Sequence, residues 1–415
     1  MENKLELAGD YFLHPANNRS DSVNEEDERL HPMVQLSTTS IWSLSDNLVF
    51  NLDGYMRLRT PDPQQGVFNE LHAAAAHTPY LDVTQALLTY EQDDYDLSLG
   101  KTRLNWGVAD LYSPMDQFDQ SDASIPSHPM QQGRWMVRYR TYLEDDTLSL
   151  VVIPMDSSYA GLQEESRWMG SASADGFFSG ALLGAGNTTL NSDIRPISFE
   201  NATYAVHYQG VREGYDFAAS AYYGLSPFPV VYATNPTGLA LEYHKIFPRA
   251  LGVMGGLTYV DESLKYYGEL QYQHIPDHSD DDFLKVTLGF AYTESDWALR
   301  LGGNELSWTL EWAGDLRTDH QSRSNYVLSS MDARPFQDYL ISRLNFDIND
   351  TWGLTVGGAF GLNDSDSMDY MDVNYTIRDD VTLRLRMQSF RGVAGSQFGH
   401  HADNDYVSLK LSYSF

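Results

Sequence analysis

Hydrophobic and polar residues alternate with a period of two along most of the 415 residues, the spacing of β-strands with one oily and one wet face. From Leu5 to Leu13 the odd positions Leu5, Leu7, Gly9, Tyr11 and Leu13 oppose Glu6, Ala8 and Asp10. Residues 33–44 and 47–59 predict a hairpin across Ser45-Asp46, with Leu48, Phe50, Leu52, Met56 and Leu58 turned away from Asn51, Asp53, Tyr55, Arg57 and Arg59. The same alternation sets Trp135, Val137, Tyr139 and Leu143 against Arg134, Met136, Arg138 and Arg140. It sets Leu306, Trp308, Leu310 and Trp312 against Ser307, Thr309 and Glu311, and Val381, Leu383, Leu385 and Met387 against Thr382, Arg384, Arg386 and Gln388. Further strands read at 80–92, 95–104, 147–154, 200–209, 214–224, 250–259, 263–275, 283–292, 336–347, 351–361, 368–378 and 403–415. With the Pro-rich crossing at 226–249 taken as one loop, the count is about 18 strands, with 16 as the alternative.

Short turns such as Val260-Asp261-Glu262 and Arg378-Asp379-Asp380 alternate with longer loops, the longest at 105–133 and 155–199. This pattern predicts an all-β chain folded as a single transmembrane antiparallel β-barrel over 1–415, with long extracellular loops and short periplasmic turns. Both ends then fall in the periplasm. Loops longer than about 15 residues in a compact fold tend to be functional or disordered. The loop 155–199 carries Trp168, Met169, Phe177, Phe178, Leu182 and Leu183, too apolar for simple solvated chain, and both long loops are expected to fold into the lumen and narrow or gate it.

The stretch Tyr406-Val-Ser-Leu-Lys-Leu-Ser-Tyr-Ser-Phe415 places Val407, Leu409, Leu411, Tyr413 and Phe415 on one face and Tyr406, Ser408, Lys410, Ser412 and Ser414 on the other. An amphipathic strand ending in Phe, with Tyr two residues before it, resembles the closing strand of bacterial outer-membrane β-barrels. The resemblance implies the outer membrane of a Gram-negative bacterium, contact with its lipid, and Tyr413 and Phe415 as an assembly signal read by the barrel-insertion machinery. No secretory signal is visible at Met1-Glu2-Asn3-Lys4, so an exported form is expected to have lost one, with Met1 an expression residue.

Composition agrees with a barrel and narrows its chemistry. The mean hydropathy is -0.41, and no apolar run approaches the ~18 residues of a membrane-crossing helix. Aromatics make up 13% of the chain, a supply suited to the girdles of a barrel. The chain has no cysteine, which excludes disulfides, thiolate metal sites and cysteine nucleophiles. A net charge of -31 argues against nucleic acid as a partner, since phosphate contacts need a basic surface. Much of the acid sits in loops expected to be solvated: residues 24–28, 277–282 and 364–366.

Against that acidic background, cations gather at inferred lumenal positions: Arg57, Arg59, Arg134, Arg138, Arg140, Arg343, Arg384 and Arg386. Alternate residues on a strand stand ~7 Å apart, a spacing that passes an anion from one guanidinium to the next. The competing reading pairs these arginines with lumenal acids such as Glu6, Asp10, Asp53, Glu269, Glu311 and Asp372, as wall braces.

The stretch Leu99-Gly100-Lys101-Thr102-Arg103-Leu104-Asn105-Trp106-Gly107, followed by Asp110, Pro114 and Asp116, resembles the Gly-basic-x-x-x-Trp-Gly pattern of alginate-export-type outer-membrane channels. That resemblance implies an inward loop and sets Lys101, Arg103 and Trp106 at the lumen wall where it begins.

Enzyme readings find little purchase. Nine of the 12 histidines (His14, His31, His72, His77, His128, His278, His320, His400 and His401) fall in loops, where solvation is the default, and there is no Gly-x-Ser-x-Gly or His-Glu-x-x-His. Asp280, Asp281 and Asp282 beside His278 lack calcium-loop spacing, so no metal and no cofactor is expected. The function expected is a passive channel, a porin or export conduit, for a small or polymeric anionic solute. The alternatives are a barrel in an export complex, docking a periplasmic or lipoprotein partner through the apolar loop, and a membrane-surface hydrolase.

Overall fold

Each expected strand is present, and together they close on themselves. The computed structural model describes residues 1–15, 29–60, 64, 66–68, 79–118, 120–122, 126–154, 167–169, 188–192, 198–233, 241–321, 326–328, 334–393 and 396–415. Eighteen strands form one antiparallel sheet. In chain order they are β1 (Glu2–Phe12), β2 (Leu30–Ser45), β3 (Leu48–Arg59), β4 (Leu81–Glu91), β5 (Tyr95–Thr102) and β6 (Arg134–Leu143). Then follow β7 (Asp146–Ile153), β8 (Thr203–Arg212), β9 (Tyr215–Leu225), β10 (Arg249–Asp261), β11 (Leu264–His274) and β12 (Asp282–Glu294). The last are β13 (Glu305–Asp319), β14 (Asp338–Asp347), β15 (Trp352–Gly361), β16 (Ser367–Arg378), β17 (Val381–Arg391) and β18 (Tyr406–Ser414). Neighbours in sequence pair throughout, and β1 pairs with β18 in the register Leu7 to Leu411. Asn3 and Phe415 exchange backbone hydrogen bonds of 2.9 and 2.8 Å. Closure leaves no strand edge to be satisfied within hydrocarbon.

The alternation sorts side chains as expected. On the outer face Leu58, Leu288 and Leu409 are about half exposed (53%, 54% and 51%). On the inner face of the same strands Arg57, Thr287 and Ser408 are buried. Near the short turns the outward aromatics pair: Trp42 on Phe50, Tyr215 on Tyr259, Phe290 with Trp308, Trp352 with Tyr375 and Tyr413 on Phe415. These form the girdle at that end of the barrel. The turn between β8 and β9 uses Glu213 (φ 47) and Gly214 (φ 89), both left-handed, as a two-residue hairpin matched to strand twist requires.

Three expectations need correction. The crossing at 226–249 is not a plain loop: Val230–Ala233 and Leu241–Ile246 belong to a separate four-stranded sheet with Thr188–Ser192 and Tyr326–Leu328, which joins three loops. These strands are too short for a period to show. The inner face is also not uniformly wet. One apolar cluster joins Leu104, Trp106, Met115 and Phe118 to inward residues of β6–β10, including Met136, Val151, Tyr222 and Met254. A second joins Phe12, Trp168, Tyr339, Phe390, Phe398 and Tyr406. Finally, the acids of two loops are only partly solvated: Asp277 and Asp364 are exposed, but Asp280, Asp281, Asp282 and Asp366 are buried. Asp281 receives Gln321 N–H and His320, Asp282 receives Ile275 N–H and His274, and Asp366 receives Tyr339 OH and Phe398 N–H. A buried carboxylate is tolerable because each oxygen meets donors from a neighbouring loop. The acidic run 24–28 lies outside the described residues.

Candidate functional site: an inward loop facing a basic wall

The segment between β5 and β6 leaves the wall at a glycine. Gly100 has φ +142, and a Cβ there would stand 2.0 Å from the carbonyl oxygen of Ala86, so only glycine permits this close approach. Beyond it Leu104 and Trp106 turn to the wall, where Trp106 stacks flat on His207 at 4.7 Å, and Arg103 and Asn105 between them are exposed. Gly107 is sterically required too, since a Cβ would meet Ser113 Oγ at 1.9 Å. Trp106 and Gly107 both donate their backbone N–H to Asp116 Oδ1, at 2.6 and 2.8 Å. Lys101 turns to Val83 O (2.5 Å) and Gln132 Oε1 (3.2 Å), which braces β4 to the returning end of the loop.

Two wall carboxylates then hold the loop. Glu269 on β11 accepts the backbone N–H of Val108, Ala109 (2.6 Å) and Met115 (3.4 Å) and the hydroxyl of Ser113 (2.6 Å). Glu311 on β13 accepts the N–H of Asp110 (2.9 Å), Leu111 (2.8 Å) and Tyr112 (2.8 Å) and the hydroxyl of Tyr267 (2.6 Å). Lys265 clasps Asp110 at 2.7 Å. The reading of Glu269 and Glu311 as arginine partners is thus corrected: among the described residues they form no ion pair and instead satisfy the loop's backbone. The loop's far limb returns along β1, where Asp10, fully buried, accepts Ser127 Oγ (2.7 Å) and His128 Nε2 (2.9 Å).

The loop therefore occupies the side of the lumen lined by β6–β13, and the opposite side is basic. A cavity of about 270 Å³ separates the limb 127–130 from Arg57, Arg384, Arg386 and Lys410, with Glu6, Met33 and Gln35 between them. Arg384 and Arg386 both bind Asp372, Arg386 at 2.7 Å. Lys4 and Lys410 hold Glu6 at 3.0 and 3.1 Å, and Arg59 reaches Asp10 at 3.5 Å. Arg57 donates to Gln35 Oε1 at 2.7 Å. On β6, Arg140 pairs with Asp96 at 3.6 Å and Arg138 donates to Ser98 at 3.3 Å. Arg343 forms no ion pair with any described residue, and Arg134 stands at the head of β6. Bracing and display coexist on one wall: Asp372 joins two arginines while the cavity still shows four cations to one carboxylate.

Solvation as the default for loop histidines holds for His14, His278 and His320, which are exposed, and fails for others. His31 is buried with Nδ1 3.2 Å from Arg59, His128 is held by Asp10, and His400 is buried with His401 packed on Trp168 and Phe390. Of the loop 155–199, Arg167 and Trp168 lie against β1: Arg167 stands 3.5 Å over the Phe12 ring and bonds Asn404 Oδ1 at 3.0 Å. His72, His77 and most of that loop lie outside the described residues.

The sequence matches no protein-family model and no curated protein. Among solved structures the chain is similar to OccK10 (OpdN) of Pseudomonas aeruginosa, with 11% identity, 100% of this chain and 98% of that one covered, and a TM-score of 0.51. It is likewise similar to OccAB3 of Acinetobacter baumannii (10%, 100% and 98%, 0.51) and to OccK3 (OpdO) of Pseudomonas aeruginosa (9%, 100% and 95%, 0.51). At such identities the likeness is one of fold: a closed 18-stranded antiparallel barrel of the outer-membrane porin type.

Proposed function

We propose that this porin-type barrel is a passive channel in the outer membrane of a Gram-negative bacterium, and that its constriction prefers anions. The observation that supports the preference is the cavity beside the inward loop, where Arg57, Arg384, Arg386 and Lys410 face a single lining carboxylate, Glu6. Counting Asp372 behind them, the described residues set four cations beside two carboxylates there. The loop's own anchoring acids, Glu269 and Glu311, are buried on the far wall. Charges within a narrow water-filled passage act inside the ~8 Å screening length, whereas rim acids farther away are screened. The solute class that fits is a small or polymeric anion, taken up at the arginines without covalent chemistry. The alginate-export-type resemblance adds the loop-launching glycines and Trp106 to this reading but no substrate. A role in an export complex draws on no described residue, since Arg167 and Trp168 of the apolar loop are buried within the barrel mouth.

The test is a reversal potential across a planar bilayer under a potassium chloride gradient. The wild-type pore should prefer chloride, and neutralising two lining charges with Arg384→Gln and Lys410→Gln should reduce that preference several-fold. A wild-type preference for potassium would mean that the cations serve only as wall braces.

A further inference from the structure

The connection between β12 and β13 is longer than the other short-side turns and contains the one α-helix among the described residues, α1 (Asp296–Arg300). Three bulky apolar residues on and just after it face open space: Trp297 is 56% exposed, and Leu299 and Leu301 are each 65% exposed. Five residues make no stable helix alone, so its position is set by its ends, and both ends are fixed to the outer face of the barrel. At the start, Asp296 N–H donates to Glu294 Oε1 (2.8 Å), while Glu294 Oε2 accepts Tyr292 OH (2.7 Å). Glu294 and Tyr292 pair with Leu306 and Trp308, so they share the lipid-facing side of β12 and β13. At the finish, Gly302 reverses the chain (φ +82). Gly303 then packs so tightly on Phe346 that a Cβ would stand 2.3 Å from its ring. Phe346 pairs with Leu306 and is outward as well. Ala298, fully buried, is the face turned to the protein.

We propose that α1 is an interfacial foot that enters the periplasmic leaflet of the bilayer. Trp297, Leu299 and Leu301 insert at headgroup level, and Arg300, 5.1 Å from the Trp297 ring centroid, faces the lipid phosphates. The occupant is a lipid surface because the patch is continuous with the girdle: Phe290 and Trp308, paired at 5.2 Å, lie on the same two strands. A second copy is a poor occupant. Three side chains fall well short of the ~800 Å² that a stable partner buries on each side. The proposal rests on the membrane placement given above.

The absence of cysteine allows a direct test, because Leu299→Cys gives a single attachment point for a nitroxide. The whole barrel is refolded into vesicles of phosphatidylethanolamine and phosphatidylglycerol, with folding checked by the mobility shift of the unboiled protein. Power saturation should show the label more accessible to oxygen than to a nickel chelate, like a Leu409→Cys control on the lipid-facing side of β18. Changing Arg300 to Ser in the labelled protein should lower the oxygen-to-nickel ratio. Nickel access at 299 with oxygen access at 409 overturns the foot and leaves the barrel reading intact. Nickel access at both positions overturns the membrane placement and the foot with it. Spin–spin broadening at 299 assigns the surface to a second copy instead.

Discussion

Glu311 has none of its surface exposed and no cation against it among the described residues, yet its charge is well housed. Three consecutive N–H groups from the loop and the Tyr267 hydroxyl converge on its two oxygens. Hydrogen bonds to a charged acceptor contribute ~1.5–3 kcal/mol, so Glu311→Gln, which turns one acceptor into a donor facing N–H groups, should loosen the loop by about that amount. Single-channel recordings should show larger open-state fluctuations; a quiet trace would mean that the apolar packing of Trp106 and Met115 suffices. On the outer face the reasoning concerns lipid. Leu385 pairs across to Leu409 on the hydrocarbon side, so Leu385→Arg should lower stability in vesicles by ~2–4 kcal/mol if it sits near the midplane. Its lumenal neighbour Thr382, exposed to the channel, should accept Arg with little change in unfolding midpoint. Equal losses at both positions would put water on neither side. Single residues of this kind were half legible in the sequence. Facing follows from parity, so Arg57, Arg138 and Arg386 could be assigned inward. The partner of Glu269 could not, because Val108 is 161 positions away and contributes only its backbone, which carries no residue-type signal.

At the scale of elements, the closing strand separates two roles that the sequence alone merges. Phe415 pairs with Asn3 through its backbone, whereas its ring meets only Tyr413 at 5.2 Å among the described aromatic contacts. Phe415→Ala should therefore refold in detergent almost as wild type while the folded yield in cells falls, if the ring is read by the insertion machinery. Equal loss in both settings would make the ring structural. The loop after β17 offers a pH test. His401 lies in the 3₁₀ turn Gly399–Asn404 outside the strands, and burial, with His400 beside it, pushes its pKa down to about 3. A depressed histidine stays neutral when docked but takes a proton when released. Docking is thus fully favourable above about 6.5 and weakens as pH falls from there toward 3. Cleavage by trypsin after Arg167, which packs on this loop through Asn404, should rise between pH 7 and pH 5 relative to cleavage of a short unstructured peptide at each pH, and the rise should flatten in His401→Phe. Strands were legible because period two survives over eight or more residues. The small outer sheet and α1 were not, because three to six residues hold too few repeats to tell a strand or a helix from a loop.

For the whole molecule, the charge of -31 and the basic wall are not in conflict, because the acids are distributed by task. Some anchor loops (Glu269, Glu311, Asp281, Asp366), some brace arginines (Asp372, Asp96), and among the described residues Glu6 is the carboxylate that lines the cavity. A net charge read from composition therefore says little about a pore, whose selectivity depends on the few groups at its narrowest part. The seam between β1 and β18 has a consequence for biogenesis. Ser412 bonds Glu6 across 406 positions of chain, so the barrel cannot be sealed until almost the entire polypeptide has left the ribosome. At ~5–20 residues per second, synthesis takes at least ~20 s. Throughout that interval the nascent chain has two sticky margins and an oily exterior, and it must be escorted unsealed to the membrane, where the first and last strands can meet.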